Sequence, residues 1–356
     1  MTITGRLVPL STERRIMRFA LTLFLSVILS VSLSCKKSSK AEDTAKFNPM
    51  PKLRNQTLRP VRFLPQWHHQ AQFAGIYVAK AKGYYENYGL DVIIQSGGPN
   101  MPASTSLINN KTDITSLFLL AALAQREQGH RLINLAQISQ KSSLMLAAKK
   151  ENGINSVQDL NHKKIGLWRS DFRELSIIFM KMNKLDMEIV PIDWTINLFL
   201  KGPIDAMNVM RYNEYHQILQ AGINPDELFI VPFSDTGLDI VEDGIYCMED
   251  FYLQDPRLCK DFAEATIEGW IYAINHQKEA VDIVLEIMSR DYLPANRPHQ
   301  EWMLKTMSEV ILARGGVVGT LEESSFNEAQ DLMFNNGLIT KRTPYREFFP
   351  YAPQNK

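Results

Sequence analysis

The chain has 356 residues, 45% of them hydrophobic, 22% charged and 10% aromatic, enough for two compact domains of roughly 100–200 residues each. So large an apolar share excludes a mainly disordered chain. The balance of 39 basic against 39 acidic residues excludes the basic stripe of a nucleic-acid binder and any strongly acidic or polybasic tail.

In chain order, Arg14, Arg15 and Arg18 precede an uncharged apolar run, Phe19 to Leu33. As a helix these 15 residues would span about 22 Å, short of the roughly 30 Å of a bilayer core. Residues 1–34 therefore read as an export signal, with Met17 as an alternative start. The run ends in Leu33-Ser34-Cys35, followed by Lys36-Lys37-Ser38-Ser39-Lys40. This junction resembles the lipobox of bacterial lipoproteins, which implies lipidation of Cys35, export to the periplasm or cell surface, and attachment to a membrane through the lipid. Residues 35–57 are polar, carry Pro49 and Pro51 and lack periodicity, as a flexible tether would. Residues 1–34 hold Arg6, Arg14, Arg15, Arg18 and Glu13, so the remainder has 35 basic against 38 acidic residues, a net of about −3.

Beyond the tether, strand-like runs alternate with helical patterns. Strands are predicted at 61–64, 90–95, 113–118, 132–137, 143–148, 164–168, 187–191, 204–210, 228–232 and 244–249. Helices are predicted at 72–82, 103–110, 121–128, 171–182 and 214–221, and nearly everything after Pro256 is helical. Such alternation means an α/β fold with mostly parallel sheets. Its distribution suggests a first lobe over 58–148 and 247–345, a second over 149–246, and a tail over 346–356. Two crossovers would join the lobes, with strand carboxyl ends facing a cleft between them. Cys247 and Cys259 can be read either as a disulfide of an exported protein or as two buried thiols.

The motifs of common enzyme classes are missing: no phosphate-binding glycine loop, dinucleotide fingerprint, nucleophile elbow or zinc-protease helix occurs. The adjacent His68 and His69 cannot easily share one ion, and the other histidines are scattered, so neither a metal nor another cofactor is expected. Export, two lobes and no reactive constellation point to binding rather than catalysis.

The segment Trp67–Asp91, WHHQAQFAGIYVAKAKGYYENYGLD, is specific. It closely resembles the first strand–loop–helix of the ABC-importer substrate-binding proteins that include thiamine-precursor, aliphatic-sulfonate and nitrate binders. Gly97-Gly98-Pro99-Asn100, Ile165-Gly166-Leu167-Trp168, Asp205-Ala206-Met207, Tyr212-Asn213-Glu214-Tyr215 and Glu242-Asp243-Gly244-Ile245-Tyr246 follow in the family's order, so the resemblance covers about residues 60–290. It implies a two-lobed, type II periplasmic-binding-protein fold, a monomer that closes on a small molecule and presents it to a permease and its ATPase. Where the thiamine-precursor branch often has a histidine, this chain has Phe73, and the cysteine-rich motif of the yeast-type pyrimidine synthases is absent.

Candidate ligand-binding residues follow from position. Trp67 and Phe73 lie in or beside the loop leaving the first strand, where a ring can stack on an aromatic ligand; Phe73 equally suits the core. Gln72 offers donor and acceptor at a helix start. Asn100 and Ser104 sit near another helix N-terminus, and Ser116 lies on the strand at 113–118. Trp168 ends a strand, and Asp171 opens a helix as either ligand group or N-cap. Tyr212, Asn213 and Glu214 follow the strand at 204–210, where a carboxylate can read an amine or pyrimidine nitrogen; the alternative is a capping Asn213 beside a solvated Glu214. Glu242 and Asp243 suit a hinge or rim as well as contact. The aromatics favour a planar heterocycle such as a pyrimidine.

Overall fold

The computed structural model describes residues 57–169, 171–315 and 317–351. The export signal, Cys35 and the tether up to residue 56 lie outside the described residues. Five strands build the first sheet: β1 (Arg59–Leu64), β2 (Leu90–Ile94), β3 (Ile114–Phe118), β4 (Leu132–Gln137) and, much later in the chain, β10 (Asp243–Met248). Their order is β2-β1-β3-β10-β4, with β10 antiparallel to both neighbours. The second sheet takes β5 (Leu144–Lys149), β6 (Lys164–Trp168), β7 (Glu188–Ile192), β8 (Ala206–Met210) and β9 (Leu228–Pro232) in the order β7-β6-β8-β5-β9. Here β5 is the strand running against its neighbours. Each sheet is thus mixed: four strands run one way, and the fifth is the strand entered straight from a crossover.

That topology moves the expected lobe boundaries. The strand at 144–149 pairs with β8 and β9 in the second sheet, although residues up to 148 were assigned to the first lobe. Residues 243–246, assigned to the second lobe, pair with β3 and β4 in the first. The crossings therefore fall within 138–143 and 238–242. An apolar strand such as Leu144–Ala148 is equally at home in either sheet, and only pairing distinguishes them. The helix expected from 171 starts at Glu174, and the one expected from 72 starts at Ala74 after a 3-10 turn at Ala71–Phe73.

Helices cover both faces of the first sheet. Helix Pro256–Asn275 lays Phe262 against Phe63, ring centroids 5.8 Å apart, and against Tyr85 at 5.1 Å. It meets helix Ala74–Ala81 at two glycines: a Cβ on Gly269 would lie 2.0 Å from the Gly75 carbonyl oxygen, and one on Gly75 would enter the Trp270 ring. No larger residue permits that backbone approach. The tail expected from 346 is instead part of the core. Phe348 is fully buried and stacks on Phe326 at 4.9 Å, with the Arg126 guanidinium on its ring. In the second lobe Phe179 stacks on Phe233 at 4.8 Å. Cys247 and Cys259 are buried free thiols.

Candidate functional site between the lobes

The two crossovers are fastened together by the carboxylates of Asp239, which accepts from Ser142 N at 3.0 Å, and Glu242. Glu242 accepts from Ser142 Oγ at 2.6 Å, Ser143 N at 2.9 Å and Leu144 N at 3.1 Å. Burial still pushes its carboxyl up to about 8, because desolvation outweighs those three bonds. The next residue, Asp243, takes the side-chain amides of Gln66 and Gln72 and is pushed up to about 7 by burial. These bonds, together with that from Gln66 N to Ser116 Oγ at 2.9 Å, pin the loop leaving β1. Gly97 closes on the same loop, where a Cβ would lie 2.1 Å from the Pro65 carbonyl oxygen.

The pinned loop holds Trp67 between the lobes. Its indole meets Phe172 edge-on at 5.5 Å and Trp168 at 6.4 Å, both from the second lobe. Phe118, the last residue of β3, meets Phe172 at 5.1 Å. Edge-to-face packing of this kind is worth about 0.5–1.5 kcal/mol per pair beyond burial. The rings border a narrow cavity of about 20 Å³, completed by Gln70, Gln72, Met210, Tyr212, Asn213 and Glu214. Phe118, Trp168 and Met210 end β3, β6 and β8, so the cavity lies at strand carboxyl ends, where open α/β sheets bind ligands.

Glu214 is the charged residue of this inner wall. It accepts from Met210 N at 2.9 Å and Asn213 Nδ2 at 2.7 Å, and burial pushes its carboxyl up to about 7. Near neutral pH it can therefore offer a hydrogen-bond donor as well as an acceptor. Asn213 Oδ1 in turn accepts from Gln217 Nε2 at 2.8 Å and His299 Nε2 at 3.0 Å. His299 is pushed down to about 4 by burial and by His216 beside it, so it is neutral at pH 7. Among the buried side-chain polar atoms that have no partner among the described residues are the Trp168 Nε1 donor and the Gln66 Oε1 acceptor. Both residues border a second recess, of about 20 Å³, with Asp171.

Trp67, Gln72, Trp168, Tyr212, Asn213 and Glu214 thus share one wall, and Asn100 borders a larger cleft outside it. Phe73 does not line these cavities: it is buried against Tyr77, the core alternative for an apolar helical position. Ser116 is occupied by the Gln66 backbone. Asp171 is not the N-cap of its helix, which begins three residues later. Its carboxylate reaches across the cleft instead and accepts from Ser104 Oγ at 2.6 Å and Ser104 N at 3.3 Å. Sequence reasoning missed Gln70, Phe118, Phe172 and Met210. Gln70 stood inside the Trp67–Asp91 segment, and Phe118 and Met210 sat at predicted strand ends, so strand-end position was the available signal. Phe172 had none.

Two sheets joined by two crossovers, with a lined cavity between them, define the periplasmic-binding-protein fold. Residues 70–280 match the family described as NMT1/THI5 like, and the chain belongs to that family. It is 24% identical over 279 residues to the riboflavin-binding protein RibY of Chloroflexus aurantiacus, covering 75% of this chain and 78% of that one. It is 30% identical over 108 residues to the 4-amino-5-hydroxymethyl-2-methylpyrimidine phosphate synthase of Schizosaccharomyces pombe, about 30% of each chain. Among solved structures, the alkanesulfonate-binding protein SsuA from Xanthomonas axonopodis pv. citri shares the fold, with a TM-score of 0.62, 13% identity, and coverage of 81% of this chain and 97% of that one.

Proposed function

We propose that the chain is an exported, lipid-anchored solute-binding protein that captures a neutral planar heterocycle between its lobes and delivers it to an ABC importer. The observation that carries this is the inner wall: rings from both lobes, an unpartnered Trp168 Nε1 donor, and no lysine or arginine. Rings offer a heteroaromatic ligand stacking faces, and the indole N–H suits a ring nitrogen or carbonyl. A sulfonate or nitrate would meet Glu214 and find no cation there. Lipidation of Cys35 is the sequence reading of the junction at 33–36, and the likeness to importer binding proteins supports an ABC permease and ATPase as partners. Binding without catalysis agrees with the absence of any reactive constellation in the sequence. A synthase role has little support, because Cys35, Cys247 and Cys259 are the chain's only cysteines.

Calorimetric titration and thermal shift of the full chain in detergent would test this with 4-amino-5-hydroxymethyl-2-methylpyrimidine, riboflavin, thiamine, taurine and nitrate. Heterocycles should raise the melting temperature, and Trp67→Ala should weaken their binding by the ~1–3 kcal/mol of a lost stack. Response to taurine or nitrate alone would overturn the reading, and a new product in the mass spectrum would favour an enzyme.

A further inference from the structure

Beyond the inner wall, the space between the lobes widens into a cleft of about 460 Å³ that shares Trp67, Gln70 and Asn213 with the inner cavity. Its lining differs in kind. It holds eight carboxamide side chains and no lysine, arginine, aspartate or glutamate. Its three histidines, His68, His69 and His299, are all held below the usual imidazole range, mainly by burial. The side chains of Asn100, Asn197 and Gln220 are exposed and make no hydrogen bond among the described residues. Trp194, about half exposed, stands edge-on to His68 at 5.7 Å.

A carboxamide presents donor and acceptor on one plane, as a hydroxyl does on one atom. An uncharged array of them matches hydroxyl groups better than phosphate or carboxylate, which gain most from charged donors. With the lobes apposed the inner cavity holds only about 20 Å³, against about 460 Å³ in the outer cleft and the roughly 300–1,000 Å³ of typical ligand sites. A ring therefore enters behind Trp67 only as the lobes part, and the rest of a larger ligand must extend outward. We propose that the outer cleft is a second subsite that binds an uncharged polyhydroxylated substituent, a polyol or sugar, carried by the ring held inside. This rests on the inner-cavity reading given above and narrows its ligand to a heterocycle bearing such a chain.

The test uses ring-matched pairs on the full chain, by calorimetric titration: riboflavin against lumiflavin, and cytidine against cytosine. In at least one pair the polyol-bearing member should bind tenfold or more tightly. An Asn197→Leu, Gln220→Leu double variant, at two exposed positions, should erase that difference while leaving the bare ring's affinity unchanged. Riboflavin 5′-phosphate should bind more weakly than riboflavin, since no cation lines the cleft. Equal binding within both pairs, binding of 4-amino-5-hydroxymethyl-2-methylpyrimidine alone, or a preference that survives the double variant would overturn the outer subsite and leave the inner one standing. No response to any ring compound would overturn both.

Discussion

The lobes touch in two very different places, at the crossovers and across the cleft. At the crossovers, Glu242 gathers three donors from the opposite connection and is completely buried among them. Across the cleft, Asp171 accepts from Ser104, His299 bonds Asn213 and His216, and Arg211 pairs with Glu309 while its carbonyl accepts from Trp302 Nε1. The first set lies where the chain itself passes between lobes, so separation of the lobes need not disturb it. The second lies away from the crossovers and exists only while the lobes are apposed. The crossovers therefore carry stability, and the cleft contacts carry closure. A ligand can shift closure only by the difference in its affinity for the two arrangements.

That division can be broken most forcefully at Glu242. Glu242→Ala leaves two backbone N–H groups and a hydroxyl without their acceptor at a buried site. At about 1–3 kcal/mol for each group left unsatisfied, the variant should lose about 3 kcal/mol or more in chemical denaturation. Unchanged stability would remove the crossovers from their structural role.

The same residue sets a pH dependence. Its carboxyl titrates at about 8 in the fold against an ordinary 4.5, so folding takes up a proton between those values. Its stabilising share is complete below about pH 4.5 and is lost as pH rises through about 8, at about 1.4 kcal/mol per pH unit within the window. Asp243 and Glu214, both pushed up to about 7, act in the same direction. Melting temperature should therefore fall from pH 5 to pH 8. Glu242→Gln should flatten that slope, whatever its effect on stability at any one pH; a parallel profile would show that Glu242 does not titrate in this range.

The smallest effect is expected at the cleft. Ser104→Ala removes the 2.6 Å bond to Asp171, worth about 1 kcal/mol. Ligand affinity should drop about fivefold through weaker closure, while denaturation stays nearly unchanged. A large loss of stability would place Ser104 with the crossovers rather than with closure.

Much of the fold could be read from periodicity. All ten predicted strands exist, with ends displaced by two residues at most, because Val-, Ile- and Leu-rich runs bounded by turns leave few other options. Gly83, predicted to follow the first helix, adopts φ of 73° directly after it. Sheet membership could not be read in this way. Leu144–Ala148 and Asp243–Tyr246 were placed in the wrong lobes because strand pairing is a long-range property with no local signature.

The site divides along the same line. Trp67 in a polar loop, and Tyr212, Asn213 and Glu214 after a strand, were legible because strand carboxyl ends face the cleft in any such fold. Phe73 and Phe172 were not. Both are apolar rings near the same loops, and burial in the core or exposure on a cavity depends on what the other lobe brings opposite them. By itself, the sequence determined the alternation of elements, the strand ends that border a cleft and the near-neutral charge. Tertiary structure alone decided where the chain crosses between lobes, which rings became walls, and that Asp171 caps the other lobe's helix rather than its own. Those outcomes depend on contacts between residues far apart in the chain, which local propensity does not encode.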